Sequence, residues 1–143
     1  MQEPSHFVFL IADGFPHISL SCAIEALRLA NFVGGKEVYR YRLASVDGGP
    51  VTASNGLATP VHQGLMPLDR RQKLLIVSGD EVFSDQRADL GAYLRTQRAR
   101  GATIGGICSG AYFLAKAGLL AGKEAAIHWA YHDAFSEQFP NVR

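Results

Sequence analysis

The residues best suited to chemistry form a glycine-flanked cysteine motif, Gly105-Gly106-Ile107-Cys108-Ser109-Gly110. The pattern predicts a sharp strand-to-helix turn of the nucleophile-elbow type, because glycines on both sides relieve the crowding in such a turn. A thiol there would lie near the first amides of a helix, which favour a thiolate and could stabilise an oxyanion. The alternative is a structural cysteine buried in a glycine-rich turn. Elbow geometry by itself does not establish turnover.

A second polar segment, Ser78-Gly79-Asp80, follows the apolar run at 74–77. Ligands of parallel α/β sheets bind beyond the carboxyl ends of the strands. We therefore expect the backbone amides of Gly79 and Ser109 to face one pocket. Asp80 would either pair with a cationic ligand in that pocket or cap the following turn, and the sequence leaves both interpretations open.

Histidine and aromatic side chains could complete this pocket. His128 would either lie beside Cys108 and activate it, or cap the start of a helix. His128 and His132 have the i, i+4 spacing of a metal pair, but HWAYH lacks the glutamate of the HExxH motif and a third ligand nearby, so no metal site is predicted. Trp129 and Tyr112 flank the expected pocket and could face a quaternary ammonium group, although such aromatic residues more often belong to the core.

Alternating strands and helices position these residues. Strands are predicted at 6–12, 39–46, 51–53, 74–77, 103–107 and 125–127, and helices at 18–32, 84–100, 109–117 and 128–139. The strand at 51–53 is expected to return as a short hairpin strand after a turn at 47–49, and 54–71 is expected to be loop-rich. The nearly continuous apolar runs are typical of parallel strands that are covered on both faces. The pattern predicts an α/β fold with an open, mostly parallel sheet and helices on both faces, a flavodoxin-like three-layer sandwich.

Composition limits the classes of protein that remain. The chain has 143 residues, 48% of them hydrophobic and 19% charged, which suits one folded domain with a sizeable core and excludes disorder. The net charge of +1 gives no general attraction to nucleic acid. Arginines at 87, 95, 98 and 100 share the predicted helix with Asp85 and Asp89, so they indicate a solvated face rather than a DNA-binding surface.

The cysteines and the two ends of the chain suggest its compartment and extent. Cys22 and Cys108 lie far apart without a CxxC pattern, which argues against a disulfide framework and a structural zinc site and suits a reducing cytosol. The first residues contain no signal peptide or membrane span, so we expect a soluble cytoplasmic protein. No closing strand or helix follows Pro140, and we expect the natural polypeptide to continue beyond Arg143.

Longer stretches of the chain resemble a known family. The segment GGICSGAYFLAKAGLLAGKEAAIHW at 105–129 closely resembles the elbow region of the ThiJ/PfpI (class I glutamine amidotransferase-like) superfamily, especially its GlxA-like branch that is fused to AraC-type helix-turn-helix domains. AIEALRLAN at 23–31, YRYRLASVDGGPV at 39–51, ASNG at 53–56 and the strand at 74–77 extend the resemblance to nearly the whole chain.

The resemblance assigns roles to particular residues. Enzymes of the superfamily use a cysteine, a histidine about twenty residues later and an acidic residue on the first helix, which correspond to Cys108, His128 and Ser19. Serine supplies no carboxyl group, and Glu25 lies about 240° around the helix from Ser19, so it does not replace it. The resemblance therefore implies a vestigial catalytic pair, Cys108 and His128. The expected ligand-binding residues are Ser19, Gly79, Asp80, Cys108, Ser109, His128 and Trp129.

The same branch implies a function. The domain is expected to sense a small nitrogenous metabolite such as an amino acid, carnitine or glycine betaine, to need no cofactor, and to form a homodimer through its first helix and neighbouring elements. DNA would be bound only by a downstream AraC-type domain that is absent from this chain. Two alternatives remain open: a cysteine-dependent hydrolase or hydratase acting on a small carbonyl, amide or isocyanide compound, and a redox sensor that uses reversible oxidation of Cys108.

Overall fold

The computed structural model describes residues 3–83 and 90–143, and in these a parallel sheet forms the centre of the fold. The strands of the chain are β1 (Ser5–Ile11), β2 (Tyr39–Ala44), β3 (Val51–Thr52), β4 (Ala58–Thr59), β5 (Gln72–Ser78) and β6 (Thr103–Cys108). The main sheet has the order β2-β1-β5-β6 with every neighbouring pair parallel, while β3 and β4 form a small antiparallel ribbon. The helices are α1 (His17–Gly34), α2 (Gly91–Ala99), α3 (Ala111–Lys116) and α4 (His132–Gln138), with 3₁₀ turns at Asp80–Phe83 and Trp129–Tyr131.

Two hydrophobic cores lie on opposite faces of the sheet. Successive side chains of a strand point to opposite faces, so Val8 and Leu10 of β1 enter one core while Phe9 and Ile11 enter the other. The first core includes residues of α2, α3 and α4, and the second includes residues of α1 and the β3 segment. The predicted three-layer α/β arrangement is therefore confirmed.

The end of α1 is fastened to the edge strand β2. Gly35 adopts a left-handed conformation with φ of 64°, and this ends the helix at the predicted glycine pair. The side-chain amide of Asn31 donates to the carbonyl oxygen of Tyr39 (2.8 Å), and its oxygen accepts from the amides of Val38 and Tyr39 (2.9 and 3.0 Å). At the start of β2, the Asn31 side chain therefore makes backbone hydrogen bonds of the kind that a neighbouring strand would make.

One strand prediction was wrong, and another was right in position but wrong in its pairing partner. Residues 125–127 do not form a strand, because the backbone beside them pairs with the last residues of the chain: the Ala125 amide donates to the Arg143 carbonyl (2.7 Å), and the Arg143 amide donates to the Lys123 carbonyl (2.8 Å). The segment at 51–53 forms its ribbon with β4, inside the predicted loop, rather than returning along β2.

The helix predictions need smaller corrections. The predicted helix at 128–139 begins with the 3₁₀ turn and becomes α-helical only at His132. The predicted helix at 84–100 is observed as α2 from Gly91, and its residues 84–89, including Asp85, Arg87 and Asp89, lie outside the described part of the chain. No helix within residues 3–83 and 90–143 is both long and apolar enough to cross a membrane.

Candidate functional site

Cys108 ends β6 in a conformation that is unusual for its residue type. Its φ is +59°, and no other non-glycine residue in the described ranges has a positive φ. The left-handed region costs an L-residue about 1–2 kcal/mol, so the surrounding structure must hold this turn in place. The α3 helix begins three residues later, at Ala111. The predicted elbow geometry is confirmed.

Glycines permit the tight packing around this elbow. A Cβ atom on Gly106 would lie 2.4 Å from the Ala111 nitrogen, and one on Gly110 would lie 2.1 Å from the Ile76 carbonyl oxygen. Both distances are far below a van der Waals contact and both involve backbone, which cannot rotate away. The glycines on either side of the cysteine are therefore required by close backbone approach.

The end of β5 brings α1 to the elbow. A Cβ atom on Gly79 would lie 2.5 Å from the Gly14 carbonyl oxygen, so this end of the strand packs directly against the turn between β1 and α1. The first turn of α1 consequently lies beside Cys108, and the Ser19 hydroxyl hydrogen-bonds to the cysteine sulfur. Ser19 therefore contacts the cysteine, and its correspondence to the acidic residue of the superfamily's enzymes stays a prediction.

Ser109 joins the elbow to the end of β5. Its side chain is fully buried, and its hydroxyl donates to the Gly79 carbonyl oxygen at 2.7 Å. Its backbone amide donates to the Ser78 carbonyl oxygen at 3.3 Å and also hydrogen-bonds to the Cys108 sulfur. The hydroxyl is thus engaged within the protein, and direct ligand binding by Ser109 stays a prediction.

Asp80 and Tyr131 form a hydrogen-bonded pair close to the thiol. The Tyr131 hydroxyl donates to the Asp80 carboxylate, and this bond, together with burial and the negative charge of Asp80, raises the Tyr131 pKa to about 12. The electrostatic influence of Cys108 reaches Tyr131 as well. Tyr131 was missed in the sequence, although it stands in the aromatic run Trp129-Ala130-Tyr131, which offered a signal.

The backbone of residues 128–131 passes next to the elbow turn. The His128 amide donates to the Cys108 carbonyl oxygen at 3.1 Å, while the ring Nδ1 accepts from the Ala130 amide at 3.2 Å. The histidine is therefore next to Cys108 in space, and its ring caps the 3₁₀ turn. The ring centroids of Trp129 and Tyr131 lie 5.4 and 5.5 Å from the His128 ring, which makes a small aromatic cluster.

The structure places the two aromatic residues predicted to flank the pocket, Trp129 and Tyr112, in different environments. Trp129 is 82% exposed, so its ring is open to an incoming molecule. Tyr112 is buried in the core on the α3 side of the sheet, where its hydroxyl accepts from the Gln138 amide nitrogen at 3.3 Å. Tyr112 is a core residue rather than a wall of the site.

The environment of Cys108 holds its pKa above the usual value for a thiol. Burial is the largest cause, and the negative charge of Asp80 acts in the same direction, whereas hydrogen bonds from the Ser109 amide and the Ser19 hydroxyl lower the pKa. A raised pKa keeps the sulfur protonated at neutral pH, and a thiol is a much weaker nucleophile than a thiolate. The turn therefore has the geometry of a nucleophile elbow around a thiol whose pKa is raised rather than lowered.

Metal ligands do not gather at this site. In the described residues no three side chains of the His, Cys, Asp and Glu types are grouped as a metal would require. His132, the second histidine of the i, i+4 pair, has its Nδ1 3.1 Å from the Asp133 carboxylate.

Three comparisons relate this chain to known proteins. The sequence profile of the DJ-1/PfpI family matches residues 6–141. The HTH-type transcriptional regulator CdhR of Pseudomonas aeruginosa is 40% identical over 136 residues, which are 95% of this chain and 40% of CdhR. Isonitrile hydratase of Pseudomonas putida is 46% identical over 92 residues, which are 59% of this chain and 37% of the enzyme.

A solved structure extends the comparison to the fold. The crystal structure of an AraC family transcriptional regulator from Pseudomonas putida matches with a TM-score of 0.84 at 27% sequence identity, over 98% of this chain and 75% of that one. The chain spans only about 40% of the length of CdhR, the regulator to which it is similar along almost all of its own length.

Proposed function

The chain belongs to the DJ-1/PfpI family, and we propose that it is the metabolite-sensing part of a transcription regulator of the AraC type. The main support is its similarity to CdhR over 95% of its length. A second support is the serine that hydrogen-bonds to Cys108 from the position where the resemblance implies an acidic residue in the superfamily's enzymes. Because the match covers 40% of CdhR, the DNA-binding helix-turn-helix domain would lie in a further part of the polypeptide. Such a regulator would act in the cytoplasm.

The metabolite would bind at the elbow site, which we define as Ser19, Gly79, Asp80, Cys108, Ser109, Tyr131, His128 and Trp129. Asp80 carries a negative charge at the hydroxyl end of Tyr131, and the rings of Tyr131 and Trp129 both lie against the His128 ring. A carboxylate next to aromatic faces suits a cationic nitrogen. The ligand we propose is therefore a small nitrogenous metabolite such as an amino acid or a betaine.

Occupancy of the elbow site could reach α1 through Ser19. This residue contacts Cys108 from the first turn of α1, so a molecule inserted between the two would displace the helix start relative to the sheet. A ligand shifts such an equilibrium only if it binds one arrangement more tightly than the other.

A homodimer through α1 would carry the signal between subunits. Four large apolar side chains of the helix are exposed, with the ion-paired Glu25 among them: Ile18, Leu29, Phe32 and Val33 are 74%, 45%, 76% and 82% exposed. Together with the exposed Cys22, they recur at helical spacing and form what we call the α1 stripe. A second copy of the same stripe is its natural occupant, because an isologous dimer pairs identical patches.

Ligand titration with a matched pair of variants tests the elbow site. Glycine betaine and the common amino acids are titrated calorimetrically into the purified protein. For an amino acid that binds, Asp80→Asn should weaken affinity by at least about tenfold, since hydrogen bonds to charged groups contribute roughly 1.5–3 kcal/mol. For glycine betaine, whose nitrogen has no N–H, the variant should also weaken affinity, through loss of the electrostatic attraction of the carboxylate. Asp133→Asn removes a carboxylate whose side chain is fully exposed and should leave affinity unchanged. Equal affinities in wild type and Asp80→Asn would contradict the elbow site.

DNA binding tests the regulatory part of the proposal. The full-length polypeptide that contains this chain should bind its promoter DNA with an affinity that changes when the metabolite is added. The same change should be smaller at equal metabolite concentration in Asp80→Asn. A metabolite that binds tightly and leaves DNA affinity untouched would contradict a sensory role.

The second candidate function is a cysteine-dependent hydratase or hydrolase. It is favoured by the elbow geometry of Cys108 and by the similarity to isonitrile hydratase over 92 residues. An active enzyme should turn over a small isocyanide, should lose turnover in Cys108→Ala, and should gain turnover in Ser19→Glu. Under the sensory proposal Cys108→Ala still binds the metabolite, and no Cys108-dependent product forms.

A redox sensor, the third possibility, would instead change its DNA affinity with peroxide in the absence of metabolite.

A further inference from the structure

The 3₁₀ turn at Trp129–Tyr131 lies beside the elbow and has little packing to hold it there. None of its three residues is buried, and Trp129 is 82% exposed. The residues on either side are better fixed, because the His128 amide donates to the Cys108 carbonyl oxygen and Phe135 of α4 is buried. A short segment with few buried apolar contacts opens locally at a small cost in free energy. Hydrogen bonds rather than packing therefore hold this turn closed.

The hydrogen bond from Tyr131 to Asp80 fastens this turn to the end of β5. The phenol and the carboxylate are 51 residues apart in the chain. Asp80 begins the 3₁₀ turn that follows β5, and that turn is anchored by Val82, which is 2% exposed in the core on the α3 side. A hydrogen bond to a carboxylate is stronger than one between neutral groups. The bond also raises the pKa of Tyr131 to about 12, so the phenol keeps the proton that it donates at neutral pH.

The Cys108 thiol lies close to both partners of this bond. Burial raises the Cys108 pKa and the charge of Asp80 adds to the effect, while the charge of Cys108 acts on the Tyr131 phenol as well. Coulomb interactions weaken with distance, so these mutual effects put the sulfur, the carboxylate and the phenol at one place. The cysteine is partly exposed, and the Ser19 hydroxyl contacts its sulfur from α1. A displaced Tyr131 would therefore widen the opening to the sulfur.

We propose that the hydrogen bond between Tyr131 and Asp80 is a latch that holds the 129–131 turn closed at the elbow and limits access to Cys108. This proposal rests on the elbow site as the place where the metabolite binds. The cationic nitrogen of such a metabolite would compete with the Tyr131 hydroxyl for the Asp80 carboxylate, so binding and opening of the latch would be coupled.

The latch also connects the elbow site to α4. Tyr131 directly precedes His132, the first residue of this helix. The helix is packed into the core on the α3 side through Phe135. An open latch would release the start of α4, so occupancy of the elbow site would reach this helix in addition to α1.

Two neutral maleimides of different size test the latch on the purified chain with Cys22→Ser. The ratio of the rate constants of N-pyrenylmaleimide and N-ethylmaleimide at Cys108 is measured by mass spectrometry. Both reagents require the thiolate, so its pH-dependent fraction cancels in the ratio and only access remains. Tyr131→Phe should raise the ratio at least about threefold, because it removes a hydrogen bond to a charged group. Tyr93→Phe removes a phenol that donates to the Met66 carbonyl oxygen (2.7 Å) and should leave the ratio unchanged.

The chain's single tryptophan gives a second measurement that needs no cysteine. Trp129 lies on the turn itself, so the decay of its fluorescence anisotropy reports local motion there. Tyr131→Phe and Asp80→Ala should each enlarge the fast component of the decay. Because both substitutions remove the same bond, the double variant should show no further increase.

Three results would overturn the latch. A maleimide ratio that stays constant in Tyr131→Phe, or that rises equally in Tyr93→Phe, would show that the bond does not limit access to the thiol. Additive effects of Tyr131→Phe and Asp80→Ala on the anisotropy decay would show that the two residues act separately. The elbow site itself is judged by the metabolite affinity of Asp80→Asn, so a failed latch and a failed binding site are distinguished.

Discussion

Cys108 combines the backbone conformation of a nucleophile elbow with a thiol pKa above its usual value. Its positive φ is maintained by the packing of Gly106 and Gly110, while burial and Asp80 raise its pKa. Ser19 contributes a hydrogen bond and no charge that could remove the proton. At this scale a binding role requires less of the site than catalysis, since a protonated thiol can still donate a hydrogen bond.

The first prediction concerns the titration of this thiol. In a Cys22→Ser background, the pH midpoint for alkylation of Cys108 by iodoacetamide should lie above that of an ordinary thiol. Asp80→Asn should lower the midpoint because it removes a repelling charge, and Ser19→Ala should raise it because it removes a hydrogen bond to the thiolate. The profile would be followed by mass spectrometry of the Cys108 peptide. A higher midpoint in Asp80→Asn would contradict the assigned electrostatics.

The second prediction concerns the phenol of Tyr131. Its hydrogen bond to Asp80 favours the neutral form and raises the pKa to about 12, above the ordinary 10.0. The bond therefore contributes stability below pH 10 and loses it as pH rises through about 12. The difference between the ultraviolet titrations of wild type and Tyr131→Phe should show one phenolate step near pH 12, and Asp80→Asn should move that step down. A step near pH 10 in the wild-type difference curve would refute the pairing.

At the scale of elements, the elbow depends on how closely β6, α3 and β5 approach. Gly110 lies so close to the β5 carbonyl oxygen of Ile76 that no side chain fits, whereas a methyl group on Gly34, near the end of α1, would have no other atom within 4 Å. Gly110 is thus required by close backbone packing, whereas Gly34 stands where a side chain would fit.

This contrast gives the third prediction. Gly110→Ala should lower the free energy of unfolding by about 3 kcal/mol or more, at the upper end of overpacking costs, because the clash involves backbone. Gly34→Ala should raise it by about 0.5–1 kcal/mol, because alanine restricts the unfolded chain and favours helix. Urea denaturation of both variants measures the difference. Similar stabilities for the two would mean that the elbow relaxes easily.

The sequence predicted most helices and strands correctly. It failed where the backbone of a segment pairs with residues distant in the chain. β1 and β5 were found because both of their faces are apolar, and α1 because its periodicity ends at two glycines. The segment at 125–127 has equally apolar residues, but its neighbouring backbone groups pair with 141–143. Such pairing between distant segments leaves no periodic signal.

At the scale of the whole molecule, the sheet is covered on both faces and the α1 stripe remains exposed. Leu20 is the buried residue of this helix, and Ile18, Phe32 and Val33 face outward. Large adjacent apolar side chains on a surface indicate an interaction site more often than chance exposure. This is the basis for expecting a second copy there.

The fourth prediction tests that dimer. Light scattering after size exclusion should give a dimer mass for the purified protein, and Val33→Asp should weaken dimerisation by at least about tenfold, because it would bury an unpaired charge in an apolar contact. Ser21→Asp places the same charge on the exposed flank of α1, outside the stripe, and should have a much smaller effect. A monomer at all concentrations in the wild type would rule out the α1 interface for this chain.

The sequence by itself determined the layered fold and the identity of the elbow. Apolar strands, periodic helices and a cysteine between glycines are local patterns, and each constrains the backbone through its own sterics and solvation. The resemblance to the superfamily also implied that Ser19 stands where its enzymes carry an acidic residue, and this assignment stays a prediction.

Only the tertiary structure decided which charges and hydrogen bonds surround each group of the site. The pairing of Asp80 with Tyr131, and the burial and Asp80 charge that raise the pKa of Cys108, depend on residues that are far apart in the chain. Coulomb interactions and desolvation depend on distances in space, and those distances are set only when the sheet brings the ends of its strands together.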